Sequence, residues 1–223
     1  MTDPRVRIVE AASQILARHG REALTTRAVA AAAKVQAPTI YRLFGDKRGL
    51  LDAVVAHGIA AYIQSKARHA PIEDPVEDLR IGIDQHVEFG LANPAVYALM
   101  ADPSLQLTAG RDGIRYLEQR VHRIALAGRL RVSEVRAVEL VHAVGLGTVL
   151  ALIDRPEAAR DLTLAADARD AVIAAITTAP AAKANKVKAV AIALRAGLPE
   201  LTELTPRERD LLDEWLARIA NRR

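Results

Sequence analysis

Apolar residues recur at helical spacing along the whole chain. After Asp3-Pro4, the residues Ile8, Ala12, Ile15 and Leu16 fall at i, i+4, i+7 and i+8, one face of a helix. Gly20, following His19, is predicted to end that helix in a left-handed conformation. Two short helices are expected near 26–33 and 37–44. A longer one, capped by Asp46, is expected to reach about residue 69, with Leu50, Leu51, Val54, Val55 and Tyr62 keeping helical spacing. A Pro-containing polar break spans 70–75. Beyond it, helices are predicted near 75–92, 94–102, 110–128, 133–154, 162–179, 182–197 and 206–221. Asp3-Pro4, Asp74-Pro75 and Asn93-Pro94 each set a capping side chain before a Pro at the first helical position. Asp74–Glu77 and Thr205–Glu208 also have capping-box spacing.

Strand signals are nearly absent: there is no Asn-Gly or Asp-Gly turn and no long β-branched alternation. The fold class expected is all-α: an N-terminal three-helix unit, a C-terminal helical body and two further helices at the end. The boundary falls near residue 63, giving domains 1–63 and 64–223. With 223 residues, 51% of them hydrophobic, the chain can bury a sizeable core and is too apolar to be disordered. It has no Cys, which excludes disulfides, thiolate metal sites and thiol catalysis. No uninterrupted apolar run reaches the roughly 18 residues of a membrane span, and no signal-peptide pattern opens the chain. A soluble, cytoplasmic protein with no membrane partner is expected.

The net charge of +4 is uneven. Residues 1–50 carry nine basic and four acidic side chains, an excess of five, and the remainder is at −1. Such asymmetry points to a nucleic-acid-binding head on a near-neutral body, or to a basic tail without special function. The helices at 26–33 and 37–44 are joined only by Lys34-Val35-Gln36, which is helix-turn-helix spacing. Val29, Ala33, Val35, Ile40, Leu43 and Phe44 are expected to hold the crossing angle. The outer face of the second helix of the pair, with Pro38, Thr39, Tyr41 and Arg42, is then free to enter a major groove. Thr, Tyr and Arg can bond phosphates or base edges, and Arg can read guanine with two bonds. Arg5 and Arg7 are read either as backbone contacts or as residues that keep the first helix soluble.

The run Thr25-Thr26-Arg27-Ala28-Val29-Ala30, then Ala33-Lys34-Val35, Pro38-Thr39-Ile40-Tyr41-Arg42-Leu43-Phe44, Asp46-Lys47 and Leu50-Leu51 resembles the DNA-binding domain of the TetR family over about residues 4–63. The resemblance implies a homodimeric regulator, most simply a repressor, that binds a palindromic double-stranded DNA operator and is released by a small-molecule effector of unknown identity. Thr26, Arg27, Thr39, Tyr41 and Lys47 match positions that contact DNA in the family, mostly at phosphates, and Pro38 and Arg42 match base-reading positions. Thr25, Gln36 and Ala37 complete the expected DNA-binding set. Two positions depart from the family pattern. Its turn glycine is Lys34 here, where a left-handed backbone costs about 1 kcal/mol more than with Gly. Its Ser or Thr cap before the recognition helix is Gln36, a weaker cap whose amide can pair with adenine.

In the family the C-terminal helices form a ligand pocket and a dimer interface. His86, Phe89, Tyr97, Met100, Tyr116 and His142, with His122, are the candidate pocket residues. Val141, Gly145 and Thr148 on helix 133–154 and Ala171, Ala174 and Ala175 on helix 162–179 are the candidate dimer seam, or else pack tightly within one chain. Six scattered His make no metal-ligand spacing, so no metal or cofactor is expected. The last helix, with Leu211, Leu212, Trp215, Leu216 and Ile219 on one face, is expected to dock, and Asn221-Arg222-Arg223 to fray. The rival reading is an all-α ligand carrier or enzyme with an incidental basic head. Against it, the sequence offers no paired carboxylates, nucleophile constellation or phosphate loop, and no enzyme is expected. A family member acting as an activator is the other alternative.

Overall fold

The computed structural model describes residues 3–67, 72–105, 107–108, 111–178 and 186–221. The predicted helix ends at 68–69 and 179, the start of the polar break at 70–71, the predicted helix start at 182–185 and the expected fraying of Arg222-Arg223 lie outside these residues. The elements are α1 (Pro4–Ala23), α2 (Thr26–Ala33), α3 (Ala37–Phe44), α4 (Lys47–Ala67), α5 (Pro75–Ala92), α6 (Pro94–Ala101), α7 (Arg111–Leu126), α8 (Glu134–Ile153), α9 (Thr163–Ile176), α10 (Lys186–Gly197) and α11 (Pro206–Ala220). Three single 3₁₀ turns, Pro103–Leu105, Glu157–Ala159 and Leu198–Glu200, lie between them. No strand occurs among the described residues; one isolated antiparallel bridge joins Leu130 to Thr177. The protein is therefore all-α.

The local signals act as their chemistry requires, with two exceptions. Asp3 accepts from the Arg5 amide, Asp74 from Val76, and Thr205 and Glu208 close a reciprocal capping box. Gly20 does take a positive φ of 75°, but one more helical turn follows it before Leu24. The first exception is Asn93. Its side chain does not cap α6 but reaches back, Nδ2 donating to the Phe89 carbonyl at 3.0 Å. The second is Glu77, whose carboxylate pairs with Arg80 at 3.2 Å.

The chain forms two compact units: Met1–Ala70, Glu88–Gly113 and Ile153–Glu157 make the first, and Pro71–Val87, Ile114–Leu152 and Ala158–Arg223 the second. In the first, α1 packs on α2, α4 and α6, and α3 on α2 and α4. Ile8, Ala12, Leu16, Leu24, Val29, Ile40, Leu50, Val54 and Val55 are buried in it. Tyr62 stacks on Phe89 at 4.6 Å between ring centres, and Phe89 leans on the fully buried Tyr97 at 6.5 Å. Burial alone pushes the Tyr97 hydroxyl far above the usual tyrosine range. Two polar clasps hold the segment after α6 to the helices before it: Arg21 with Asp102, and both the amide and the hydroxyl of Thr108 on the Asp52 carboxylate.

The second unit is built around Leu79, Ile83, Val121, Ile124, Val141, Val172, Ile173 and Ile176, with Ile192, Ala196 and Ala220 closing the core from α10 and α11. A polar layer is laid over it. Asp78 is shared by Arg123 at 2.7 Å and Arg120 at 3.4 Å, Arg129 holds Asp74, and Arg169 bridges Asp84 and Asp170. The arginine hydrogen bonds hold the Asp74 and Asp170 carboxyls below the usual carboxylate range. By length and composition α8 is apolar enough to cross a membrane, with one third of the relevant window buried in the chain. It still carries Arg136, Glu139 and His142.

Candidate nucleic-acid interface

The first unit holds the helix-turn-helix. Thr25 caps α2 by accepting from the Ala28 amide at 3.1 Å. The α2 helix then ends at Lys34, whose φ of 55° and ψ of 46° are left-handed. The turn thus keeps the geometry that a glycine would give, and the lysine bears the strain. Lys34 and Val35 donate back to the Ala31 and Ala30 carbonyls at 3.2 and 3.0 Å, which closes the α2 end.

The α3 helix then divides by face. Ile40 and Phe44 are buried, Leu43 is half-buried, and Ala37 lies half-buried on the inner flank. Pro38, Tyr41 and Arg42 are exposed at i, i+3 and i+4, with half-buried Thr39 at their edge. Gln36 occupies the N-cap position without a side-chain cap bond, so its exposed amide is available beside this face. The hydroxyls of Thr26 and Tyr41 lie 3.4 Å apart, which joins α2 and α3 at the outer surface. Arg27 on α2 and Lys47 at the start of α4 are both exposed.

Arg5, Gly49 and Arg48 complete this corner of the head, and of the three only Arg5 was singled out by sequence. Arg5 reaches over α3, donating to the Leu43 carbonyl at 2.8 Å, with its guanidinium 4.6 Å above the Phe44 ring. Neither sequence reading of Arg5 included this contact with its own chain. Gly49 lies where α4 passes the end of α3: a Cβ there would stand 2.0 Å from the Phe44 carbonyl oxygen. Its amide donates to the Asp46 carboxylate at 2.7 Å, which caps α4. Arg48, exposed beside Lys47, extends the basic edge. The charge count signals Arg48, but no local pattern signals the close approach at Gly49.

Electrostatically the two units differ. Arg27, Lys34, Arg42, Lys47 and Arg48 are exposed and form no ion pair among the described residues. In the second unit Arg80, Arg120, Arg123, Arg129, Arg169 and Arg195 each hold a carboxylate. The head's positive charge is therefore available to an external polyanion, whereas these body arginines are neutralised internally.

The other sequence-derived residues are dispersed. Phe89 and Tyr97 are packed in the aromatic stack of the first unit, and Met100 is half-buried there. In the second unit His86 and Tyr116 are half-buried, His142 is exposed, and His122 meets Glu134 at 3.1 Å. Of the six seam residues, Val141, Gly145 and Thr148 turn inward. Val141 joins the core, Gly145 faces the His86 ring, and Thr148 is buried. The face of α8 open to solvent instead bears Ala143, Gly147 and Ala151, one or two positions away. Ala171, Ala174 and Ala175 on α9 are exposed, as a seam requires.

The model of the family described as bacterial regulatory proteins, tetR family, matches residues 8–54, which contain the whole helix-turn-helix. Solved structures share the fold. SmeT, the repressor of the Stenotrophomonas maltophilia multidrug efflux pump SmeDEF, is 24% identical with a TM-score of 0.62, covering 79% of this chain and 91% of its own. FadR, a fatty acid degradation regulator from Bacillus halodurans, is 18% identical with a TM-score of 0.64, covering 78% and 96%. BioQ, solved with its double-stranded DNA operator, is 23% identical with a TM-score of 0.57, covering 76% and 98%. No curated protein sequence matches the chain. The segment 8–54 thus carries the helix-turn-helix DNA-binding domain of the tetR family of bacterial regulatory proteins, and the chain shares its helical fold with solved regulators.

Proposed function

We propose that the chain is an effector-responsive repressor that binds a palindromic operator as a cytoplasmic homodimer. The observation that carries this reading is the outer face of α3: Pro38, Tyr41 and Arg42 stand exposed, flanked by Gln36 and by cations without ion pairs. Arg42 and Gln36 read base edges, Pro38 approaches a thymine methyl, and Thr25, Thr26, Arg27, Thr39, Tyr41 and Lys47 fix the register on phosphates. One α3 contacts few base pairs, so a two-fold pair of chains is needed to read a palindrome. The exposed small residues of α8 and α9, Ala143, Gly147, Ala151, Ala171, Ala174 and Ala175, supply a surface on which a second chain can approach closely. The operator bound by BioQ and the repressor role of SmeT support both parts of the reading. A small molecule bound in the helical body, against half-buried side chains such as His86 and Tyr116, shifts the population toward a dimer that no longer spans two half-sites.

Selection of binding sites from random duplexes, followed by gel shifts, tests this reading. Arg42→Ala is expected to weaken binding by about 1–3 kcal/mol and to relax preference at one position of each half-site. Lys47→Ala is expected to weaken binding to all sequences and to reduce the salt slope by about 1 per head. An Arg42→Ala chain that selects the same sequences as the parent sinks the base-reading assignment.

A further inference from the structure

The hairpin of α10 and α11 buries only part of its apolar surface. Ala191, Leu198, Leu212 and Leu216 pack between the two helices, and Arg195 grips Asp213 with two hydrogen bonds at 2.8 and 3.0 Å. Ile192, Ala196 and Ala220 face the core of the second unit. That leaves Val187, Val190 and Leu194 on α10, exposed at 70%, 56% and 41%, and Leu211, Trp215 and Ile219 on α11, with Trp215 at 52%. By helical angle both triplets fall on the side of the hairpin turned away from the core. The expectation that Leu211, Trp215 and Ile219 dock inside the chain is therefore corrected: only Leu212 and Leu216 do. The apolar arc of α11 is wider than the contact α10 offers it.

This face is unlike an ordinary solvated one. Every described side chain of α10 that is exposed is a branched aliphatic, and Lys188 and Arg195 lie half-buried to the side. Charge appears only on α11 and in both signs, with Arg207, Asp210, Glu214 and Arg218 exposed. A surface of that kind suits neither an anionic membrane nor a nucleic acid, each of which selects one-signed basic patches. It does suit its own copy. When two α11 helices cross antiparallel about Trp215, residues whose numbers sum to about 430 meet. Trp215 then meets its counterpart, Leu211 meets the partner's Ile219, and the partner's Arg218 falls between Asp210 and Glu214. The face is about 20 Å by 20 Å from the helix lengths and spacing. Covering it on two chains removes about 800–1,000 Å² from water, the size of a weak, transient interface.

We infer that the outer face of the α10–α11 hairpin is a self-association surface on which a second copy of the chain packs antiparallel, centred on Trp215. It uses residues distinct from the α8 and α9 stripes and stands whether or not the operator reading does. The matched structures cover 91–98% of their own length and 76–79% of this chain.

The chain has no cysteine, so each single thiol introduced by substitution can cross-link only to another molecule. Under mild oxidation the full-length Trp215→Cys chain is expected to form a covalent dimer. Leu211→Cys and Ile219→Cys chains are each expected to link poorly alone and efficiently when mixed. Failure of Trp215→Cys to cross-link, or Leu211→Cys linking as well alone as in the mixture, overturns the antiparallel contact. Trp215 is also the only tryptophan and reports its own burial. Its emission in the parent chain is expected to lie to the blue of that in Val190→Lys, with self-association at this face weakened about thirtyfold in the variant. Val190 is more than half exposed, so the variant should keep the parent's helical circular dichroism. Identical emission in the two chains overturns the surface as a whole.

Discussion

Single residues set the corner between α3 and α4. At Gly49 the requirement is space: any side chain drives a Cβ into the Phe44 carbonyl, a backbone atom that cannot step aside without moving α3. Gly49→Ala is therefore expected to destabilise the head by about 1–3 kcal/mol, the usual cost of overpacking. Gly113→Ala in α7, where nothing lies within 4 Å of the added carbon, is expected to be neutral or to stabilise by up to about 1 kcal/mol. Thermal unfolding of both variants checks the contrast, and equal midpoints would remove the steric argument. Lys34 shows the opposite balance. Its left-handed backbone costs about 1 kcal/mol, but a glycine there would regain a similar amount of unfolded-state freedom. The lysine thus keeps an exposed cation in the turn at little net loss of stability. Its positive φ was foreseeable from the turn position. The close approach at Gly49 was not, because it depends on which backbone lies opposite.

At the scale of elements, the helix starts and the α2–α3 pair were legible because Pro, capping Asp and Thr, and short periodic runs are local signals. What sequence could not supply was the choice of face. Periodicity shows that Val141, Gly145 and Thr148 share a side of α8, but not whether that side meets its own chain or another. Gly145 went to His86 and left the neighbouring stripe to solvent. The same ambiguity split the apolar arc of α11 between Leu216 inside and Trp215 outside. Asn93 does not cap α6 because its side chain can either accept a helix N–H through Oδ1 or donate through Nδ2, and it donates to the Phe89 carbonyl at the end of α5. Arg5 joins α1 to α3 by two weak links, a carbonyl hydrogen bond and a cation–π contact. Arg5→Ala is expected to cost about 1 kcal/mol of stability. It should also weaken DNA binding without altering sequence preference, because α3 is less firmly held while its outer face is intact. A changed preference in site selection would assign Arg5 to base reading instead.

Across the whole molecule, carboxylates held by arginines set the response to acid. Asp74, Asp170 and Asp213 are each held below the usual carboxylate range, first by the hydrogen bond from Arg129, Arg169 and Arg195 respectively. A lowered native value means that the unfolded chain binds protons first. Each pair therefore contributes its full stability above about pH 4 and loses it as the pH falls through the lowered values. The unfolding midpoint is expected to be flat from pH 7 to about 5 and to fall below about 4. Asp213→Asn should remove part of that acid step. A midpoint that rises on acidification would contradict the sign of all three shifts.

The division between unpaired head cations and neutralised body arginines also bears on how the molecule searches. Arg27, Lys34, Arg42, Lys47 and Arg48, without ion pairs among the described residues, are placed to attract a duplex regardless of its sequence, while the arginines that hold Asp74, Asp78, Asp84, Asp170 and Asp213 add little to that attraction. On the proposed operator-binding reading, duplex of any sequence is therefore held through the head, in many short, sequence-blind contacts. The chain's encounter with any one site becomes a one-dimensional walk, whose length is set by ionic strength rather than by the affinity of the site itself.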